Sequence, residues 1–141
     1  MPNHVLINEY LPGQGIMPHK DGAAYYPVVC TVSLGSSLCL DIHSSNEDGT
    51  TESSPRWRIL QEPRSLLITT GDLYSEYLHG IAEVKDEVNL NSTTVANWDL
   101  LRSPEEIKDG NFERHTRTSL TYRDVIKASN LGSKLGVFGK C

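Results

Sequence analysis

The 141-residue sequence contains no apolar run of 18 or more residues, so no segment reads as a membrane-spanning helix. Its N-terminus shows no basic stretch leading into an apolar core, the pattern of a secretory signal. Without that signal, the sequon Asn91-Ser92-Thr93 carries little weight as a glycosylation site. Cysteine is scarce: Cys30, Cys39 and Cys141 are odd in number and never spaced C-x-x-C. That argues against a disulfide framework and for a reducing compartment, cytoplasm or nucleus. Positive charge is short as well. Thirteen Lys and Arg against 18 Asp and Glu leave a net charge of −5, whereas a chain built to neutralise phosphates shows a basic face. Basic residues gather only at Arg56-Trp57-Arg58, at Arg114-His115 with Arg117, and at Lys127, Lys134 and Lys140. Ordinary solvated charge accounts for most of these, so any nucleic-acid contact should be local and modest. No internal repeat is visible.

What remains is an ordinary globular composition, 38% hydrophobic and 22% charged. A chain of this length forms one domain that buries about 70% of its unfolded surface. Short β-branched and aromatic stretches recur at close spacing. Residues 4–10 read as a strand stopped by Pro12 and Gly13. Residues 28–34 and 38–43 follow, joined at Gly35-Ser36-Ser37, and 44–55 reads as an exposed hairpin loop. Further strands are predicted at 57–60, 65–69, 74–81 and 116–126. Between 82 and 115 the alternation fades into a long excursion. There Ser103-Pro104-Glu105-Glu106 has the form of a helix start: cap, proline at the first position, glutamate three residues on. The pattern predicts a mainly β fold, a double-stranded β-helix or jelly roll, with a long loop and short-helix insertion. The core should span 1–128, with a flexible C-terminal tail at 129–141.

Two stretches carry candidate chemistry. Met17-Pro18-His19-Lys20-Asp21 places an imidazole and a carboxylate two residues apart, on one side of an extended strand. A third donor would complete a two-His-one-carboxylate triad of the kind that holds ferrous iron. Taken alone, a His-x-Asp pair is expected by chance roughly 0.3 times in such a chain, so it needs context. In the last strand Arg117, Ser119, Thr121 and Arg123 share a face. This is equally the solvated face of an edge strand or a polar interior in which guanidiniums await carboxylates.

The order of motifs resolves the matter. Asn8-x-Tyr10, His19-x-Asp21, Val32-Ser33-Leu34-Gly35-Ser36, Pro63-Arg64-Ser65-Leu66-Leu67, Leu78-His79-Gly80-Ile81 and Arg117 through Arg123 together resemble the AlkB family of iron(II)- and 2-oxoglutarate-dependent dioxygenases, and within it the sixth AlkB homologue subgroup. The resemblance covers nearly all of residues 4–126. It implies that His19, Asp21 and His79 ligate iron(II), and that Asn8 and Tyr10 hydrogen-bond 2-oxoglutarate. Arg117 and Arg123 would flank the cosubstrate, with Ser119 and Thr121 between them. Arg117 is assigned to the distal carboxylate and Arg123 to the metal end. The implied reaction uses O2 for oxidative demethylation or hydroxylation of an alkylated DNA, RNA or protein.

Members of the family usually carry a substantial region, including a nucleotide-recognition lid, before the first core strand. Here Met1-Pro2-Asn3 leads directly into that strand, so the lid is expected to be absent and a sheet edge left uncovered. The competing expectation is therefore a non-catalytic or regulatory binding protein. His4, His43 and His115 read as structural or solvent-facing, and Cys30 as a core residue. The parity of Cys39 leaves its surroundings open. Trp98 reads as a packing residue, and so does Trp57, although its flanking arginines also suit a base-stacking role. Tyr25 and Tyr26 are equally pocket or rim residues.

Overall fold

The computed structural model describes residues 1–46 and 49–126, so the expected 129–141 tail lies outside the described residues. Two four-stranded antiparallel sheets face each other. The major sheet runs β1 (His4–Tyr10), β10 (Arg117–Arg123), β3 (Val28–Gly35), β6 (Ser65–Thr70). The minor sheet runs β2 (Ile16–His19), β7 (Leu78–Ile81), β4 (Leu38–His43), β5 (Trp57–Gln61). This is the predicted jelly roll. The described residues of the expected exposed loop, 44–46 and 49–55, lie between β4 and β5, are mostly exposed, and carry a Ser45–Thr51 bridge.

Alternation sorts the major sheet. Arg117, Ser119 and Thr121 are buried, whereas Thr118, Leu120 and Tyr122 on the other face are half-buried. Since β10 is hydrogen-bonded on both sides, to β1 and β3, it is no solvated edge strand. Its polar face points into the sandwich. The outer face is left open at its margins: Val5 and Ile7 on edge strand β1 are 45% and 63% exposed, and Leu66 and Ile68 on edge strand β6 are 60% and 54%. Cys30 shares this face and is only half-buried, not a core residue. Gly35 closes β3 at φ +82°, where a Cβ would sit 2.4 Å from the Thr116 carbonyl oxygen. No other residue type fits that turn.

The minor sheet contains the device that aims the site. Ile16 pairs with Ile81 and His19 with His79, so three steps along β2 match two along β7. The extra residue is a β-bulge at Met17-Pro18, where proline's missing N–H costs no ladder bond. Across the bulge, Ile16 and His19 face the same interior although their numbering gives them opposite parity. Gly80 permits the close approach, because a Cβ there would lie 3.0 Å from the Ile16 carbonyl oxygen and from the Pro18 nitrogen.

Three local expectations need correction. Residues 74–81 are not one strand: Gly71, at φ +58°, turns the chain into a single helical turn, α1 (Asp72–Ser75), before β7 begins. The predicted strand 116–126 stops at Arg123, and Val125 makes only an isolated bridge to Tyr25. The expected helix at Ser103 is one 3-10 turn, Pro104–Glu106, which ends where Ile107 leaves helical geometry at φ −90° and ψ 64°. Ser103 makes no side-chain cap; instead the Glu62 carboxylate accepts from the Arg102 and Ser103 N–H groups at 2.9 and 3.0 Å.

The 82–115 excursion is packed rather than loose. It covers the outer face of the minor sheet, where Cys39 and Leu60 form a second core with Leu90 and Val95. Trp98, as expected, packs against this cluster, beside Leu101, Ile107 and Phe112. The short strands β8 (Asp86–Glu87) and β9 (Phe112–Glu113) brace it. Glu87, 1% exposed, pins it down by accepting from Arg58, Arg114 and the Cys39 N–H. Burial first, and then the adjacent Glu87 carboxylate, push the Cys39 thiol far above its usual range, so it stays protonated.

Candidate active site

Between the sheets lies a cavity of about 160 Å³. All nine residues singled out in the sequence line it: Asn8, Tyr10, His19, Asp21, His79, Arg117, Ser119, Thr121 and Arg123. They come from β1, β2, β7, β10 and the loop after β2, so the cavity exists only when both sheets close.

One end gathers the metal-type donors. The His19 and His79 rings lie 4.5 Å apart, centroid to centroid. His79 Nε2 is 3.8 Å from Asp21 Oδ2. His19 Nδ1 is 2.9 Å from the Met17 carbonyl oxygen. A carbonyl only accepts, so Nδ1 carries the proton and Nε2 keeps its lone pair for the cavity. Burial holds the His79 imidazole below its usual pKa, with His19 and Arg123 acting in the same sense and Asp21 against them. Asp21 has passed the end of β2 but is steered back by two tethers. Tyr74 Oη donates to the Gly22 carbonyl at 2.8 Å, and Lys20 Nζ to the Ser75 carbonyl at 2.6 Å.

The Asp21 carboxylate is 4% exposed and paired with Arg123, yet its Oδ1 has no hydrogen bond of good geometry. Among the described residues no three His, Cys, Asp or Glu side chains stand close enough to clasp one ion. Donors around a shared ion sit about 3 Å apart, so the 3.8 Å gap between Asp21 and His79 must narrow. The set fits the group: two imidazoles and a buried carboxylate, its Oδ1 held by the Arg123 guanidinium, around one space.

The other end is organised by Arg117, 3% exposed. Its Nε donates to Ser33 Oγ at 2.8 Å and its Nη2 to Gln61 Oε1 at 2.5 Å. The guanidinium also lies 5.6 Å from the Tyr10 ring centroid. No carboxylate pairs with it among the described residues. Burial therefore lowers its pKa to about 10. Tyr10 moves the other way: burial raises its phenol, with Arg117 opposing, so the hydroxyl stays protonated at neutral pH. Asn8, Ser119 and Ser33 stand opposite one another across β1, β10 and β3, giving a polar band below the guanidinium.

Ser33 lies in the motif Val32-Ser33-Leu34-Gly35-Ser36, which assigns it no role, and Gln61 had no motif to mark it. The available signal was parity: Ser33 alternates with Val29 and Thr31 toward the interior, and Gln61 closes a strand otherwise apolar inward. None of His4, His43 or His115 lines the cavity; His43 is buried on the far side of the minor sheet, while His4 and His115 are exposed. Tyr25 touches the site, since the Arg123 guanidinium lies 4.9 Å over its ring. Tyr26 does not, and lies beside Val28 and Tyr122 on the open face of the major sheet.

Comparison with known proteins supplies the family and the fold. Residues 1–123 match the 2OG-Fe(II) oxygenase superfamily. The protein named "Probable RNA/DNA demethylase ALKBH6" from Danio rerio is 39% identical over 95% of this chain and 58% of its own. The "tRNA (carboxymethyluridine(34)-5-O)-methyltransferase alkbh8" of Xenopus tropicalis is 32% identical over 88% of this chain and 18% of its own. The chain thus spans little more than half of the first relative. The solved structure of OsALKBH1 shares the fold, with a TM-score of 0.53 at 22% identity, over 88% of this chain and 48% of that one. Iron(II) and 2-oxoglutarate are the cofactor and cosubstrate that this family implies. The chain belongs to the 2OG-Fe(II) oxygenase superfamily and is AlkB-like within it.

Proposed function

We propose that the cavity holds iron(II) through His19, Asp21 and His79 and 2-oxoglutarate through Arg117, Asn8 and Tyr10, for the oxidation of an alkylated nucleic acid. One observation carries this reading: Arg117 is a buried cation whose hydrogen-bond partners are all neutral. An uncompensated buried charge is costly, and an anion entering the cavity removes that cost. A dicarboxylate fits, with one end on the guanidinium fork and the other near the imidazoles. The named activities of the Danio rerio and Xenopus tropicalis relatives favour a nucleic-acid substrate over a protein.

When bound, iron(II) and 2-oxoglutarate supply oxidation of a C–H bond coupled to decarboxylation of the cosubstrate. The chain's own residues do the positioning. His19 is fixed in the tautomer that offers Nε2. Ser33 and Gln61 hold the Arg117 plane, leaving Nη1 free of the two locking bonds to meet a carboxylate. Tyr10 and Asn8 donate from the β1 side. Arg123 neutralises charge at the metal end. Leu6, Leu40, Leu67 and Ile81 wall the space with apolar surface, which strengthens each polar contact inside it.

Succinate release tests the proposal, with iron(II), 2-oxoglutarate and methylated oligonucleotides. Turnover should exceed that of the His19→Ala/Asp21→Ala double variant at least tenfold. Equal rates would sink the enzyme reading and leave the binding-protein alternative. Separately, His79→Ala should weaken manganese(II) binding, and unchanged affinity would remove His79 from the ligand set.

A further inference from the structure

A single row of side chains crosses the inner face of the minor sheet. The register pairs His19 with His79, His79 with Ile42, and Ile42 with Trp57. With strands about 4.8 Å apart, the Trp57 backbone lies about 10 Å from that of His79. Trp57 remains 38% exposed, a large aromatic that the core does not absorb. The ring of Tyr77, two residues before His79, meets the indole at 5.1 Å between centroids and 60° between planes. The Arg56 guanidinium lies 4.9 Å over the same indole and has no ion-pair partner among the described residues. Beside these rings is an apolar recess of about 360 Å³, walled by Ile42, Trp57, Ile59, Leu73 and Tyr77, with exposed Asp72 also lining it.

We infer that this recess is a subsite for a base flanking the reacting nucleotide of a single-stranded nucleic acid. The inference rests on the nucleic-acid reading above. An exposed indole backed by a half-buried tyrosine ring, with an arginine that has no ion pair, is the combination with which proteins hold single strands, the indole meeting a base and the cation the backbone. In a chain of net charge −5 such a contact has to be local, and this is one place where cation and aromatics coincide. The recess lies too far along the row from His19 and His79 to hold the reacting group, and close enough for the next base. Asp72 is placed to accept from an exocyclic amine, which favours adenine, cytosine or guanine over uracil or thymine at that position.

Fluorescence anisotropy of labelled single-stranded RNA and DNA of one sequence, with manganese(II) and 2-oxoglutarate present, tests the subsite. Trp57→Ala should weaken binding about tenfold and Trp57→Phe should restore most of it. Arg56→Ala should flatten the salt dependence by about one phosphate contact. Oligonucleotide should quench wild-type tryptophan emission but not that of Trp57→Phe. RNA and DNA behaving alike would place recognition on the base; a preference for one adds contacts to the sugar. Trp57→Ala binding as tightly as wild type, or no binding by wild type, overturns the subsite. Calorimetric binding of 2-oxoglutarate to the same proteins keeps the questions apart. If it persists while the anisotropy arm fails, the subsite alone is wrong; if wild type does not bind 2-oxoglutarate, the cavity reading has failed.

Discussion

Glu87 and Arg117 are both almost fully buried, but the chain treats them in opposite ways. Glu87 receives two arginines and a backbone N–H under the 82–115 excursion, so its charge is answered entirely within the chain. Arg117 has a serine, a glutamine and a tyrosine ring, which orient it without neutralising it. A buried charge that is fully answered holds structure together. One that is oriented but unanswered is prepared for something that arrives from outside. By that criterion the outer core is architecture and the inter-sheet cavity is a site.

The largest effect should come from Glu87→Gln, which strands Arg114 in a buried position. Breaking such a pair from one side costs about 3–5 kcal/mol, so urea unfolding should show a loss of that order. A loss below about 1 kcal/mol would dissolve the contrast. Arg117→Met should do the reverse. Stability without ligand should hold or rise, while 2-oxoglutarate affinity falls about a hundredfold, since charged hydrogen bonds contribute about 1.5–3 kcal/mol each. Equal loss of stability and affinity would make Arg117 a structural residue after all. Gln61→Ala should follow it in direction at about a tenfold loss, because the fork remains but is less well aimed.

The smallest effect concerns Asp41, which borders the Glu87 network through Arg58 at 3.4 Å. Burial raises its pKa above the usual carboxylate value, with Arg58 opposing. The folded state therefore binds the proton more tightly than the unfolded chain, so Asp41 lowers stability as pH rises through that pKa. Asp41→Asn should melt at or slightly above the wild-type temperature at pH 7, and the difference should shrink as pH falls toward 4. A difference that grows on acidification would mean the pair with Arg58 outweighs burial.

Much of this site was legible in the sequence because strand periodicity is simple. Arg117, Ser119, Thr121 and Arg123 had to share a face, and so did Asn8 and Tyr10. Their meeting with His19, Asp21 and His79 in one cavity was implied by motif order, not by spacing. What escaped was whatever depends on packing between distant segments. Cys39 lies on the minor sheet's outer face, and only the excursion, pinned by Glu87 and Arg114 across 27 positions, makes that face a core. Ser33 and Gln61 belong to the site through register with strands far away in sequence. The turn at α1 failed for a different reason, since one helical turn leaves no periodicity to detect.

The bulge in β2 sets the angle of the site's first imidazole, and not which face it occupies. Met17 is 77% exposed, so many side chains should be tolerated there. Removing it altogether would leave Ile16 and His19 two positions apart, the regular spacing of residues on one face, and His19 would still turn toward the cavity. What the deletion would take away is the bend and extra twist of the bulge, and with them the aim of the imidazole toward Asp21 and His79. Homologues should therefore vary freely in residue type at this position, and one that lacks the residue should still present its histidine to the cavity at an altered angle.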